Sequence, residues 1–275
     1  MEEEKIKKIV RESYAKVAAS NSCCCATTAS CCGNTGLEKE IGSNIGYSAE
    51  DMNKVPEGSN LGLGCGNPIA LASLKKGEVV LDLGSGAGFD CFLAADKVGA
   101  EGKVIGVDMT PEMVEKARGN AQKGNYKNVE FRLGEIEHLP VANETIDVII
   151  SNCVINLSPT KDKVFKEAFR VLKPGGRLMV SDIVLTKELP SLIKNNMSAY
   201  VGCISGAIIK EEYLALIKNA GFEEIKVVDE SSFSLKYTAS DDIQAIAENN
   251  LELSKNQIEN LEDYASSIKV FAKKP

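Results

Sequence analysis

The chain has 275 residues, 44% of them apolar, with 23 glycines and a formal net charge of −7; that is enough apolar material for one well-filled core in a globular α/β protein. The negative balance, with no Lys/Arg cluster, argues against nucleic acid as a partner, because phosphate neutralisation dominates such binding. No run of eighteen apolar residues exists, so no transmembrane helix is expected, and the acidic start Met1-Glu2-Glu3-Glu4 is unlike a secretory leader, which makes the cytoplasm the expected address.

In chain order, residues 2–19 predict a helix, because Ile6, Ile9, Val10, Tyr14 and Val17 recur at spacings of three and four. Residues 20–36 are small, polar and cysteine-rich and predict a loop; the turn signals scattered over 37–67 predict a cap leading into the main fold. From residue 68 strand and helix patterns alternate. Strands are predicted at 79–83, 103–108, 129–133, 146–150, 177–184 and 224–228, with a final edge or inserted strand at 267–272. A helix follows the first strand to about residue 98, another opens at Thr110-Pro111-Glu112 as N-cap and N1 proline, and others cover 164–172, 190–200, 210–220 and 241–256. Segment 146–150 is almost wholly apolar, as a strand covered on both faces is. The alternation predicts a Rossmann-like α/β fold, a mostly parallel sheet flanked by helices.

Asp82-Leu83-Gly84-Ser85-Gly86-Ala87-Gly88 directly follows the first strand and opens a helix. Glycines there permit a tight turn and close approach of the backbone, and the helix start offers free N–H groups to a ligand. Asp82 ends its strand just before the first glycine, and Asp108 ends the next strand twenty residues past Gly88, where a carboxylate suits ribose hydroxyls. Nicotinamide binding competes for such a loop, but its usual spacing is Gly-x-Gly-x-x-Gly rather than Gly84-x-Gly86-x-Gly88. The loop, VIGVDMTPEMVEKAR (104–118), GEIEHLP (134–140) and the Leu172-Lys173-Pro174-Gly175-Gly176 turn together resemble class I S-adenosylmethionine-dependent methyltransferases. The resemblance implies that Gly84, Ser85, Gly86 and Gly88 embrace the methionine part of the cofactor and that Asp108 holds its ribose. It also implies that Met109 packs on the adenine, that Glu135 and Ile136 lie at the adenine's edge, and that Asn152 lines the methyl-donor pocket.

The acceptor must be argued separately, since a fold does not fix it. Nine cysteines accompany a single histidine, His138, so a histidine-rich metal site within one chain is excluded. Without a leader the cysteines are expected as thiols. Cys153 runs off the fourth strand, Cys203 lies in the insertion after the fifth, and Cys65 sits between glycines just before the core begins. Ligands in such sheets bind outside the carboxyl ends of the strands, so three thiols from distant segments are able to converge there. Three thiolates suit a soft, pyramidal, thiol-seeking centre, and trivalent arsenic meets that description while keeping a lone pair opposite the sulfurs. Such a lone pair attacks a sulfonium methyl without a general base, and no base constellation is evident. Cys91, inside the helix after the glycine loop, reads instead as a small buried hydrophobe.

LGCGNP (63–68), SNCVINL (151–157) and YVGCISGA (200–207) resemble the three cysteine sites of the microbial arsenite methyltransferases. That family carries a further N-terminal cysteine, thought to pair with the one matching Cys65 during turnover; Cys32 is the favoured counterpart here, with Cys31 close behind. Leu63 stands where some relatives have an aromatic residue. The cluster Cys23, Cys24, Cys25, Cys31 and Cys32 lacks the spacing of a zinc knuckle. It reads either as an arsenite-capturing loop or as a dispensable segment. The expected division is residues 1–67 as N-terminal helix and Cys-rich cap, and 68–275 as the S-adenosylmethionine-dependent domain with its arsenic-binding insertion. The family implies a thiol reductant, thioredoxin or glutathione, as co-substrate, and an arsenic(III) thiol conjugate as substrate. Two other classes stay open: a carbon methyltransferase acting on a quinone- or sterol-like acceptor, and a thiol-based arsenic sensor or sink that transfers no methyl.

Overall fold

Four parallel pairings set the frame of the sheet. In the computed structural model, which describes residues 3–20, 47–64, 66–68, 73–232 and 264–275, β1 (Val79–Leu83) pairs in parallel with β2 (Lys103–Asp108) on one side and with β4 (Ile146–Asn152) on the other. Beyond β2 lies β3 (Val129–Leu133), and beyond β4 lies β5 (Leu172–Leu185). The chain thus builds outward from β1 in one direction and then returns to build in the other. A crevice opens beside the carboxyl ends of β1 and β4 at that reversal.

The remaining two strands run against this grain. The sheet has seven strands in the order β3-β2-β1-β4-β5-β7-β6. Strand β7 (Ala265–Lys273) slots between β5 and β6 (Glu223–Ser232), antiparallel to both. The sequence left open whether this strand was an edge or an insertion; it is an insertion. Val270, Ile268 and Ala272 are fully buried on it, joining the core beneath β5.

Helices cover both faces. The helix α1 (Glu3–Ser20) buries Ile6, Val10 and Val17 and lies over the crevice, after which α2 (Ala49–Lys54) is closed by a capping box between Ser48 and Asp51. The main flanking helices are α3 (Phe89–Val98), α4 (Pro111–Lys123), α5 (Lys161–Val171) and α8 (Lys210–Asn219). Two departures from the sequence reading have physical causes. The stretch expected as one helix over 190–200 is two short ones, α6 (Ser191–Lys194) and α7 (Met197–Val201), because the Asn196 side chain caps Ala199 N–H and starts a new helix. Strand β5 begins at Leu172 rather than 177, since the Lys173–Gly176 turn, with Gly175 at φ +77°, is absorbed as a register shift opposite β4. The helix expected at 241–256, and the cysteines at 23, 24, 25, 31, 32 and 65, lie outside the described residues. Among the described residues no helix is long and apolar enough to cross a membrane.

Candidate active site

The glycine loop and the cysteine turn leave the sheet side by side. Leu83 of β1 is in register with Ser151 of β4, so the next residues of each strand, Gly84 and Asn152-Cys153, emerge as neighbours. Packing there is tight: a Cβ on Gly84 would run into the Val154 side chain, and the residue sits at φ +67°. Gly86 and Gly88 also take positive φ, and Gly84 N–H and Ser85 N–H both donate to Val107 O, at 2.8 and 3.0 Å. The loop is therefore drawn across the end of β2 and its backbone left open to the crevice.

Asp108 anchors that arrangement. Its two carboxylate oxygens accept Gly86 N–H at 2.9 Å and Thr110 N–H at 2.8 Å. It lines the crevice together with Met109 and Ile136. Glu135 behaves differently. It accepts from Lys7 Nζ of α1 at 2.8 Å and does not line the crevice, whereas its neighbour Glu137 does. His138 is exposed.

A carboxyl pair lies at the base of the crevice: Asp82, expected from the sequence as a cofactor-binding residue, and Asp90, which was not. Asp82 is 2% exposed, and Asp90, in the first turn of α3, is 8% exposed. Tyr47 Oη donates to Asp90 at 2.6 Å, and Asn152 Nδ2 donates to the other Asp90 oxygen at 3.2 Å. Burial pushes the Asp90 carboxyl up to about 6 against those two hydrogen bonds. Burial, then the charge of Asp90, pushes Asp82 well above the usual carboxylate range. The Asp82 carboxylate accepts from the Cys91 thiol at 3.2 Å. Cys91 is fully buried and its thiol is pushed well up by burial and the Asp82 charge, consistent with an inert packing role. Asp82, Asp90 and Asp108 line the crevice, and no ion pair reaches any of them among the described residues. An acid in the buried face of the apolar run Phe89-Asp90-Cys91-Phe92-Leu93 was the sequence signal that pointed to Asp90.

Two of the three candidate cysteines meet, Cys153 on the other wall and Cys203 packed against its main chain. Cys203 Sγ donates to Cys153 O at 3.1 Å, across fifty positions of sequence. Both are buried, 5% and 7% exposed, in one apolar cluster with Met109 and Tyr200 against it. Cys153 lines the crevice beside Asn152 and Val154. Both cysteines adopt left-handed backbone, φ +58° and φ +65°, which is uncommon for a residue with a Cβ. Cys65 lies outside the described residues, but its flanking glycines are described. Asn152 Nδ2 donates to Gly66 O at 2.7 Å. A Cβ on Gly64 would lie 2.5 Å from Asn152 Nδ2, and one on Gly66 would strike Ser181 Oγ. The carbonyl of that same Ser181 accepts Cys153 N–H at 2.8 Å.

Helix α1 closes the crevice from above. Val10 and Tyr14 line it, Tyr14 Oη donates to Val201 O at 3.4 Å, and Lys7 also reaches Glu137 at 3.2 Å.

Comparison with known proteins agrees with this geometry. The model of the methyltransferase domain family matches residues 74–221. An arsenite methyltransferase of Halobacterium salinarum is 48% identical over 244 residues, covering 83% of this chain and 61% of the relative. A demethylmenaquinone methyltransferase of Lactococcus lactis is 33% identical over 56% of this chain and 63% of its own length. The chain thus spans about three fifths of the length of these curated relatives. A crystal structure of an arsenic(III) S-adenosylmethionine methyltransferase from Chlamydomonas reinhardtii superposes with a TM-score of 0.62 at 31% identity, covering 84% of this chain and 72% of that one. The glycine loop between β1 and α3, the reversal of strand order at β1, and these matches together establish that the chain belongs to the class I methyltransferase family and, within it, to the arsenite methyltransferases.

Proposed function

We propose that the chain transfers the methyl group of S-adenosylmethionine to trivalent arsenic held by the thiolates of Cys65, Cys153 and Cys203, so producing methylated arsenicals. The observation that carries the reading is the contact of Cys203 with Cys153 of the crevice lining, 3.1 Å from the Cys203 sulfur to the Cys153 carbonyl oxygen, with the glycines flanking Cys65 packed against Asn152, the residue next to Cys153. Arsenic bound to three sulfurs keeps a lone pair on its open side, and that pair is the nucleophile. A general base is therefore not needed, and the site supplies orientation and exclusion of water.

The crevice suits the cofactor chemically. S-adenosylmethionine supplies an electrophilic methyl on a sulfonium centre and also carries an ammonium group. The buried Asp82 and Asp90 carboxyls, lacking a cationic partner among the described residues, match those positive charges. Ser85 Oγ is buried in the loop without a hydrogen-bond partner among the described residues, a spare group for a ligand. Within this reading, Gly84, Ser85, Gly86 and Gly88 hold the methionine end, Asp108 the ribose, and Met109 and Ile136 the adenine. Glu135 serves through its ion pair with Lys7. Residues 1–67 act as a cap over the 68–275 domain, and Cys32, with Cys31 as alternate, pairs with Cys65 during turnover. A thiol reductant, thioredoxin or glutathione, then restores the site.

The test is incubation of purified protein with arsenite, S-adenosylmethionine and thiol, with products separated by chromatography and detected as arsenic. Methylated arsenicals from the wild type, lost in Cys153→Ser and Cys203→Ser, are expected. A carbon methyltransferase acting on a quinone-like acceptor would keep its activity in both variants and leave arsenite unmethylated, and that result overturns the reading.

A further inference from the structure

A buried polar cluster lies behind Cys153 and Cys203, apart from the glycine loop and the Asp82–Asp90 floor. At its centre is Lys161, in the first turn of α5 and 8% exposed. Burial pulls its ammonium down to about 8, while the carboxylates of Asp182, Glu212 and Glu137 favour the charge. Yet no carboxylate forms an ion pair with it among the described residues. Its Nζ donates instead to two main-chain carbonyls, Ser158 O at 2.9 Å and Asn156 O at 3.3 Å. Asp182, the nearby acid, is occupied by Asn156 Nδ2 at 2.8 Å, Ile183 N–H at 3.0 Å and Tyr213 Oη at 3.2 Å. A buried ammonium bound only to carbonyls is costly, so what it holds in place merits scrutiny.

The carbonyls belong to the turn that carries Cys153. A short 3-10 helix, Ile155–Leu157, follows that cysteine, and Lys161 bridges its end. The segment bearing Cys203 docks on the same run of carbonyls. Cys203 Sγ donates to Cys153 O, Tyr200 Oη donates to Leu157 O at 3.3 Å, and Gly206 packs so closely on the Asn156 carbonyl that a Cβ there would collide with it. The Asn156 carbonyl is thus gripped by Lys161 and pressed by Gly206, while its side chain is tied to Asp182 and to Ile183 O at 2.6 Å.

We propose that Lys161 is a positioning residue that fixes the spacing of the Cys153 and Cys203 sulfurs by bridging the Asn156 and Ser158 carbonyls, and so sets the affinity of the site for trivalent arsenic without contacting it. The inference rests on the arsenic reading above. It separates Lys161 from residues that serve the cofactor: the bridge acts on the thiol wall, and the Asp82–Asp90 floor does not depend on it.

The experiment uses the full chain with Lys161→Met and Lys161→Arg, arsenite as the varied substrate, and calorimetry for S-adenosylmethionine. Lys161→Met is expected to raise KM for arsenite about tenfold or more, with the cofactor Kd within about twofold of wild type, while Lys161→Arg, which keeps two donors, returns KM to within about threefold. If the methionine variant does not fold, as read by circular dichroism, Lys161→Gln takes its place, and the same inequality between the two substrates decides. Unchanged KM for arsenite in a folded variant, or equal weakening for arsenite and cofactor, overturns the proposal. Wild-type protein that yields no methylated arsenical overturns instead the arsenic reading on which it stands.

Discussion

The two walls of the crevice reach the same backbone conformation by opposite routes. The cofactor wall places glycines at φ +67°, +52° and +94°, where the lack of a side chain lets a ligand approach the main chain. The thiol wall places Cys153 and Cys203 in the same left-handed region, at φ +58° and +65°, although a side chain there costs about 1–3 kcal/mol. The first wall is local, the five consecutive residues Gly84–Gly88 between one strand and the next helix. The second is assembled from segments fifty residues apart and held by hydrogen bonds to the carbonyls of one turn. One wall is built by omitting side chains, the other by keeping a sulfur where glycine would sit more easily.

The contrast breaks if the walls prove to be coupled, and the largest test removes the sulfurs. Cys153→Ser and Cys203→Ser are expected to cut arsenite methylation by more than about a hundredfold while cofactor Kd stays within about twofold, read by arsenic-specific chromatography and calorimetry. A matching loss of cofactor affinity would mean that the walls are one cooperative unit. Gly84→Ala attacks the other wall. Its Cβ meets Val154 at a positive φ, so cofactor affinity is expected to fall about tenfold or more, with about 1–3 kcal/mol lost from chemical unfolding. Arsenite binding by the reduced protein should persist.

The floor sharpens the comparison through pH. With its carboxyl held at about 6, Asp90 becomes neutral as pH falls through that value and loses its attraction for a cation. Cofactor affinity is expected to drop below pH 6, by at most about tenfold per unit. Stability should move the other way. A folded carboxyl raised above its unfolded value of about 3.9 binds a proton that the unfolded chain has released between pH 4 and 6, so this group's contribution to stability rises as pH falls through that window. Asp90→Asn is expected to reduce both slopes, leaving the part carried by the other raised acids, Asp82 and Asp182, and calorimetry and urea melts across pH 4–8 check the difference. The smallest effect on cofactor affinity belongs to Lys7→Met, which frees α1 from Glu135 and Glu137. A rise of a few fold in cofactor Kd is expected, with about 1–3 kcal/mol of lost stability, because Lys7 and Glu137 are both buried and the glutamate is left without its cation.

What could be read in advance divides along the same line. The glycine loop, Asp108 and the strands flanking them are legible because turn residues and apolar periodicity are local, and β1 to β4 lie where the pattern puts them. The thiol wall was foreseen only as residues able to converge, since nothing in the spacing of 153 and 203 says that one sulfur reaches the other's carbonyl. Tyr47, Asp90 and Lys161 were passed over because their meaning is tertiary. Each is an ordinary polar residue until the fold buries it, and the acids inside apolar runs, Asp90 in α3 and Asp182 in LMVSDIVL (178–185), were the cues. The 190–200 stretch misled because apolar spacing continues through Asn196, whose cap interrupts the helix.

The insertion of β7 between β5 and β6 has a consequence for how the molecule is made. On the ribosome, β5 and β6 are both complete before residues 265–273 emerge, so β5 waits with one rim unpaired and β6, which pairs with β7 among the described residues, waits without its ladder. That interval is when the nascent chain is most open to strand exchange with a neighbour, and it ends only when Lys274 reaches the carbonyls of Phe169 and Leu172 and fastens the late strand to the end of α5 and the start of β5.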